Sequence, residues 1–203
     1  MRGSNNHFLR ICRDHFSFLE PIYEFGALQV TGHPREDIRG MFEGKHFIGA
    51  DMREGPGVDV VLNLHDLDLE DGSAGTVVCL DTLEHVEYPR RAMEEIYRVL
   101  ADDGIAVISS VFEFPIHGYP NDFWRFTPEG FRSLLNVFEN SFVGSFGVSE
   151  DVPRTVVGVG FKGDLPDMTQ FTPAYENWST WYSGIMQKIA EEDLQAKLDA
   201  LKD

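Results

Sequence analysis

Hydrophobic positions along this chain fall into two kinds of run. One kind is short, continuous and β-rich, as in residues 76–80 (TVVCL) and 105–109 (IAVIS). Runs without alternation are expected of strands buried on both faces. The other kind has helical spacing: Met93, Ile96, Tyr97 and Leu100 follow Pro89, with Arg90, Arg91, Glu94, Glu95 and Arg98 left for the solvent side. Pro89 suits a first helical turn, where its missing N–H is not needed, and Asp103-Gly104 is expected to stop the helix. Strand, loop, helix and strand joined by a right-handed crossover form a parallel pair. That arrangement puts the polar loop 81–87 at the carboxyl edge of the sheet, where open α/β sheets bind ligands.

The patterning extends in both directions. Residues 4–19 predict a helix with Phe8, Leu9, Cys12, Phe16 and Leu19 on one side and Ser4 or Asn5 as N-cap. Strands are expected at 21–25, 46–50 and 58–62, with a short helix at 34–42 and a turn at Glu54-Gly55-Pro56-Gly57. Thr127 and Pro128 open a helix whose apolar face is Phe131, Leu134, Leu135 and Phe138. Residues 142–148 and 155–161 predict an antiparallel pair, and 161–183 reads as loop. From Gly184 a polar helix carries Ile185, Ile189, Leu194, Leu198 and Leu201; it can pack on its own domain, pair with a second subunit as a homodimer, or fray.

Composition narrows the classes. The 203 residues suffice for one well-buried α/β domain, expected over 1–165, with a C-terminal loop and helix over 166–203. The formal net charge of −17 argues against non-specific binding to nucleic acid or to an anionic membrane surface. No apolar run reaches membrane-spanning length, and the N-terminal stretch lacks a signal-peptide core. The two cysteines, Cys12 and Cys79, have no neighbour at metal-ligand spacing, so free thiols and a cytoplasmic location are expected, and no metal.

Candidate chemistry clusters at the ends of the expected strands. Asp51 lies 25 residues after Gly26 (51 − 26), near the separation at which an acidic residue meets ribose hydroxyls in dinucleotide-type folds. A carboxylate accepts two charge-assisted hydrogen bonds from vicinal hydroxyls. Residues 112–128 are too long and too aromatic for a simple connection and suit a substrate-covering loop. Within it His117 is the better general-base candidate, its ordinary pKa lying near neutrality. Tyr119 and Trp124 are candidates to line an acceptor pocket, with Arg125 beside them; the reading of Arg125 preferred over catalysis is a pair with Asp122 that fixes the loop. Covalent Ser or Cys catalysis and zinc chemistry have no supporting spacing, and a nicotinamide-dependent oxidoreductase is disfavoured because the first turn lacks G-x-G-x-x-G.

The stretch LDTLEHVEYPRRAMEEIYRVLADDGIAVIS resembles the region around the fourth and fifth strands of class I S-adenosylmethionine-dependent methyltransferases. It is closest to the branch with an LEHV loop and an RVL-x-x-x-G helix end, and the order of motifs extends the resemblance over roughly residues 20–135. Asp102-Asp103-Gly104 stands where the family has Pro-Gly-Gly. The resemblance implies a Rossmann-like, doubly wound sheet of about seven strands, mostly parallel, with helices on both faces. It implies S-adenosylmethionine as cofactor, methyl transfer as activity and, for a compact acidic chain, a small-molecule acceptor. The family's E-x-G-x-G-x-G turn is altered here: Glu24 and Gly26 are kept, Leu28 and Val30 replace the later glycines, and Gly32 would close a longer loop. Asp51 and Met52 would meet ribose and adenine; Asn63, Leu64 and Asp66 would meet the adenine edge; Leu80 and Asp81 would lie near the methionine end, with His85 beside them as a second base candidate. The missing glycines leave a non-catalytic, binding member of the same fold as the alternative.

Overall fold

The computed structural model describes residues 3–30, 37–118 and 120–201. Its centre is the strand Ala74–Leu80, buried at every residue. In chain order the strands are β1 (Ile22–Phe25), β2 (Phe47–Asp51), β3 (Val60–Val61), β4 (Ala74–Leu80), β5 (Leu100–Val111), β6 (Asn140–Ser149) and β7 (Val152–Phe161). They form one sheet in the order β3-β2-β1-β4-β5-β7-β6. The first five are parallel, while β7 is antiparallel to both β5 and β6. Strand order reverses at the β1–β4 pair, where Ile22 sits beside Thr76 and Phe25 beside Cys79. Open parallel sheets bind ligands at such a reversal.

Among the described residues, four helices cover the two faces: α1 (Gly3–His15), α2 (Pro89–Val99), α3 (Pro128–Leu135) and α4 (Phe171–Ala200). Side-chain alternation explains the division. Val77, Cys79, Ala106 and Ile108 join Met93 and Ile96 of α2 and Phe131 and Leu135 of α3 in one core. Val78, Leu80, Val107 and Val157 join Phe8, Leu9 and Cys12 of α1 and Phe171 and Trp178 of α4 in the other. A strand buried on both faces needs no polar alternate positions, so 76–80 reads as an unbroken apolar run. Thr127 caps α3, its Oγ1 accepting from Gly130 N at 3.0 Å, with Pro128 in the first turn as expected.

Four local expectations change. Helix α2 ends at Val99, and Leu100 opens β5 instead of closing the helix; Asp103, at φ 61, bonds through its N–H to the Lys162 carbonyl. The expected helix at 34–42 is a 3-10 turn over Ile38–Phe42, capped by Asp37, and Pro34 lies outside the described residues. Leu19 is past the end of α1 and exposed. The segment read as loop from 161 to 183 becomes helix at Phe171. Pro173 falls in its first turn, where it is tolerated, and the aromatic residues are its packing face. Phe171 and Trp178 are buried, and Trp178 Nε1 donates to the Ser4 carbonyl at 3.0 Å, tying α4 to α1. Further along α4, Ile189, Leu194 and Leu198 are exposed. No described helix is long and apolar enough to cross a membrane.

Candidate active site at the carboxyl edge of the sheet

A cleft of about 590 Å³ opens where the parallel strands end. Its walls come from Gly26 after β1, Asp51 and Met52 at β2, Asn63 and Leu64 after β3, Asp81 after β4 and His117 beyond β5. That volume falls within the range of small-molecule sites, roughly 300–1,000 Å³.

The first strand turns at Gly26, whose φ is +81° and whose N–H donates to the Ala50 carbonyl at 2.9 Å. A Cβ there would stand 2.2 Å from Thr82 Oγ1, so the β1 turn and the β4 loop touch because this residue has no side chain. Leu28 and Val30, in place of glycines, line the cleft themselves. Leu28 also packs over Gly55: a Cβ on that glycine would lie 2.4 Å from Leu28 Cδ1. Gly55 thus makes room for Leu28. Gly32 lies outside the described residues.

Asp51 faces the cleft at the end of β2. Its Oδ1 accepts from Arg53 N at 3.1 Å, and Oδ2 lies 3.4 Å from Leu28 N, a long contact that leaves acceptor capacity on both oxygens. Met52 beside it is exposed. Asn63 Oδ1 accepts from His65 N at 3.0 Å, which orients the amide. His65 Nε2 accepts from Tyr88 N at 3.1 Å, just before α2.

Asp81 has φ 49°, a left-handed conformation that aspartate tolerates better than most residues and that often marks functional loops. Its N–H donates to the Ser109 carbonyl at 3.0 Å, and its Oδ1 accepts from Asn5 Nδ2 at 2.8 Å. The same Asn5 amide donates to Ser109 Oγ at 2.9 Å. Asn5 is therefore no N-cap; it is a fully buried residue of α1 that fixes the β4 loop from below. The signal was available, since Asn5 lies three, four and seven residues before Phe8, Leu9 and Cys12 and so shares their apolar face.

At the other end of the cleft two imidazoles meet. His85 and His117 have ring centroids 4.8 Å apart at 81°. His85 closes the 3-10 turn Leu83–His85, and its Nδ1 is within hydrogen-bond reach of the Asn121 carbonyl. Burial lowers its proton affinity below that of a free imidazole, the Asn121 bond opposing this. His117 Nδ1 lies 3.1 Å from the Pro115 carbonyl and 3.3 Å from Asp122 Oδ2. Both of its neighbours are acceptors, as is the Asn121 carbonyl, so Nδ1 of each ring is placed to donate.

Arg125 organises the loop that carries His117. It binds Asp122 through two parallel bonds of 2.6 and 2.7 Å and donates to the Phe114 and Pro115 carbonyls at 3.1 and 3.0 Å. Its guanidinium holds the Asp122 carboxyl well below the usual carboxylate range. Trp124 Nε1 donates to the Val86 and Glu87 carbonyls at 3.0 and 3.2 Å, stapling the loop to the LEHV segment. Trp124 and Arg125 do not line the cleft, so the structure gives them a scaffolding place instead of a substrate-facing one. Glu24 and Leu80 are buried in β1 and β4, and neither they nor Asp66 line the cleft. Tyr119 lies outside the described residues. The wall residues Phe114, Asn121 and Phe123 were not singled out from the sequence, because only the folded loop turns them inward.

Residues 45–108 match the family model described as a methyltransferase domain. Among solved structures, a methyltransferase of Archaeoglobus fulgidus shares 16% identity at a TM-score of 0.61, over 80% of this chain and 95% of that one. A Thermotoga maritima protein described as a possible histamine N-methyltransferase shares 20% identity at 0.56, over 78% and 89%. A putative methyltransferase of Haloferax volcanii, solved in complex with the Trm112 methyltransferase activator, shares 14% at 0.56, over 80% and 92%. No curated protein sequence matches the chain.

Proposed function

We propose that this chain, which has the class I methyltransferase fold and a methyltransferase-domain match, transfers a methyl group from S-adenosylmethionine to a small-molecule acceptor. Fold and family match imply the cofactor. The observation that carries the reading is the spread of distinct chemistry along one cleft at the strand reversal. Asp51 lines the cleft at the end of β2, where it could meet a ribose, and Gly26 brings the β1 turn against the β4 loop.

The residues divide the work. Asp51 would accept hydrogen bonds from the ribose hydroxyls, with Met52 against the adenine and the Asn63 amide at its edge. Asp81, held by Asn5, would face the methionine end, where a carboxylate suits a cationic ligand. When bound, the cofactor supplies a methyl group on a positively charged sulfur, which a lone pair of the acceptor displaces. Such displacement depends chiefly on alignment, which the loop closed by Arg125 and Trp124 would provide. His85 and His117 are the groups that would handle an acceptor proton.

A cleft of this size and the charge of −17 favour a small acceptor over nucleic acid. A second reading, a binding protein without catalysis, is favoured by one observation: Leu28 and Val30 occupy wall positions that glycines would leave open. Incubation with methyl-labelled cofactor and panels of small hydroxyl and amine compounds separates the two. Label transfer that falls in His117→Ala while cofactor affinity stays supports the enzyme; tight cofactor binding without transfer to any panel supports the second reading.

A further inference from the structure

We propose that Glu84, His85 and His117 form a divalent-metal site of the zinc class at the acceptor end of the cleft. Each residue contributes one ligand atom to a cluster in which all three atoms lie within 4.8 Å of one another. A tetrahedral ion with bonds of about 2.0–2.2 Å holds its ligand atoms about 3.4 Å apart, so the longest edge needs to close by about 1.4 Å at most. Neighbours in sequence usually point apart, yet the tight 3-10 turn over Leu83–His85 brings Glu84 and His85 into one cluster.

The surroundings have the form that metal-binding histidines require. Such residues usually donate the second ring N–H to a carbonyl or carboxylate, which fixes tautomer and ring orientation. Here His85 Nδ1 addresses the Asn121 carbonyl, and His117 Nδ1 addresses the Pro115 carbonyl and Asp122, itself gripped by Arg125. Glu84 is fully buried, and its Oε2 accepts from Ser110 Oγ at 2.6 Å, which orients the carboxylate. Two imidazole nitrogens and one carboxylate oxygen suit zinc, iron or cobalt better than calcium or magnesium, which prefer all-oxygen shells. His85 and His117 line the cleft while Glu84 lies behind them, so the open coordination positions face the acceptor.

The ligand this site takes is an acceptor hydroxyl, most tightly one with a second oxygen donor beside it. Coordination through the oxygen lone pair lowers the hydroxyl's pKa, and its proton leaves to solvent, so the imidazoles act through the ion. That role rests on the methyl-transfer reading; whether an ion binds does not.

The test is a titration of chelator-treated, untagged protein with Co²⁺, followed by visible absorption and by calorimetry without cofactor. The site takes one equivalent with the bands of a low-symmetry cobalt centre. His85→Ala and His117→Ala abolish the stoichiometric step, and Asp122→Asn weakens it about 10–100-fold. Circular dichroism melts confirm that each variant is folded, which covers the case of a variant lost to misfolding. Absence of a stoichiometric step in wild type, or an unchanged step in both folded histidine variants, overturns the proposal. Parallel titration with S-adenosylhomocysteine separates the two failures: cofactor binding without cobalt binding sinks only the metal site, and the reverse sinks only the methyl-transfer reading.

Discussion

Gly26, Asp51 and Asn63 stand where parallel strands stop, and main-chain bonds hold the segments that carry them: Gly26 N to the Ala50 carbonyl at 2.9 Å, Leu62 N to the Asp51 carbonyl at 2.9 Å. His85 and His117, at the opposite end, come from separate loops joined by main-chain bonds from Phe123 N and Trp124 N to the Glu84 carbonyl at 2.7 and 3.2 Å, and otherwise shaped by side chains, chiefly the Asp122–Arg125 pair and the Trp124 staple. The end proposed for the nucleotide is thus a property of the sheet, while the end proposed for the acceptor depends also on a few replaceable side chains. Specificity can then change by loop substitution while the cofactor end stays put, which is why fold alone does not identify an acceptor.

Arg125→Ala should break this comparison most sharply. It leaves the nearly buried Asp122 without its paired charge, at a cost of about 3 kcal/mol, the lower end for a pair whose arginine is partly exposed. Amide exchange in residues 112–126 should speed up by about 100-fold, while cofactor affinity moves less than about twofold. Equal loosening at both ends would show that they are one cooperative unit. Asp51→Ala is the converse: cofactor binding weakens by about 1.5–3 kcal/mol in calorimetry, with loop exchange unchanged. Wild-type affinity in that variant would remove the ribose assignment.

Gly26→Ala should cost about 1–2 kcal/mol in chemical denaturation, because the left-handed φ penalises a Cβ, and the collision with Thr82 should weaken cofactor binding as well. Trp124→Phe should give the smallest effect. It keeps an aromatic ring, smaller than the indole, and removes the N–H that meets the Val86 and Glu87 carbonyls, for about 1 kcal/mol of loop stability read by exchange.

The same division explains what the sequence made legible. Central strands were readable because burial on both faces leaves a continuous apolar run, and the place of Asp51 on the same cleft wall as Gly26 was expected from their separation. Helix α2 was readable from its stripe, although its last residue was not, since Leu100 serves equally as a helix position and as the first buried residue of β5. The start of α4 was hidden because Pro, Thr and aromatic residues weaken local helix preference, and only docking of Phe171 and Trp178 against α1 and the sheet decides the matter. Asn5 was legible only as a position on the apolar face of α1; its role is set by Asp81 and Ser109, distant in sequence. The meeting of His85 with His117 is likewise a product of loop closure, with no periodicity to announce it.

The most direct measurement is calorimetric titration of the chain with S-adenosylmethionine and S-adenosylhomocysteine. One site per chain with micromolar affinity is expected, weakened in Asp51→Ala and kept in Arg125→Ala. Absence of binding at millimolar ligand would contradict it, and would mean that Leu28 and Val30 close the cleft to the cofactor.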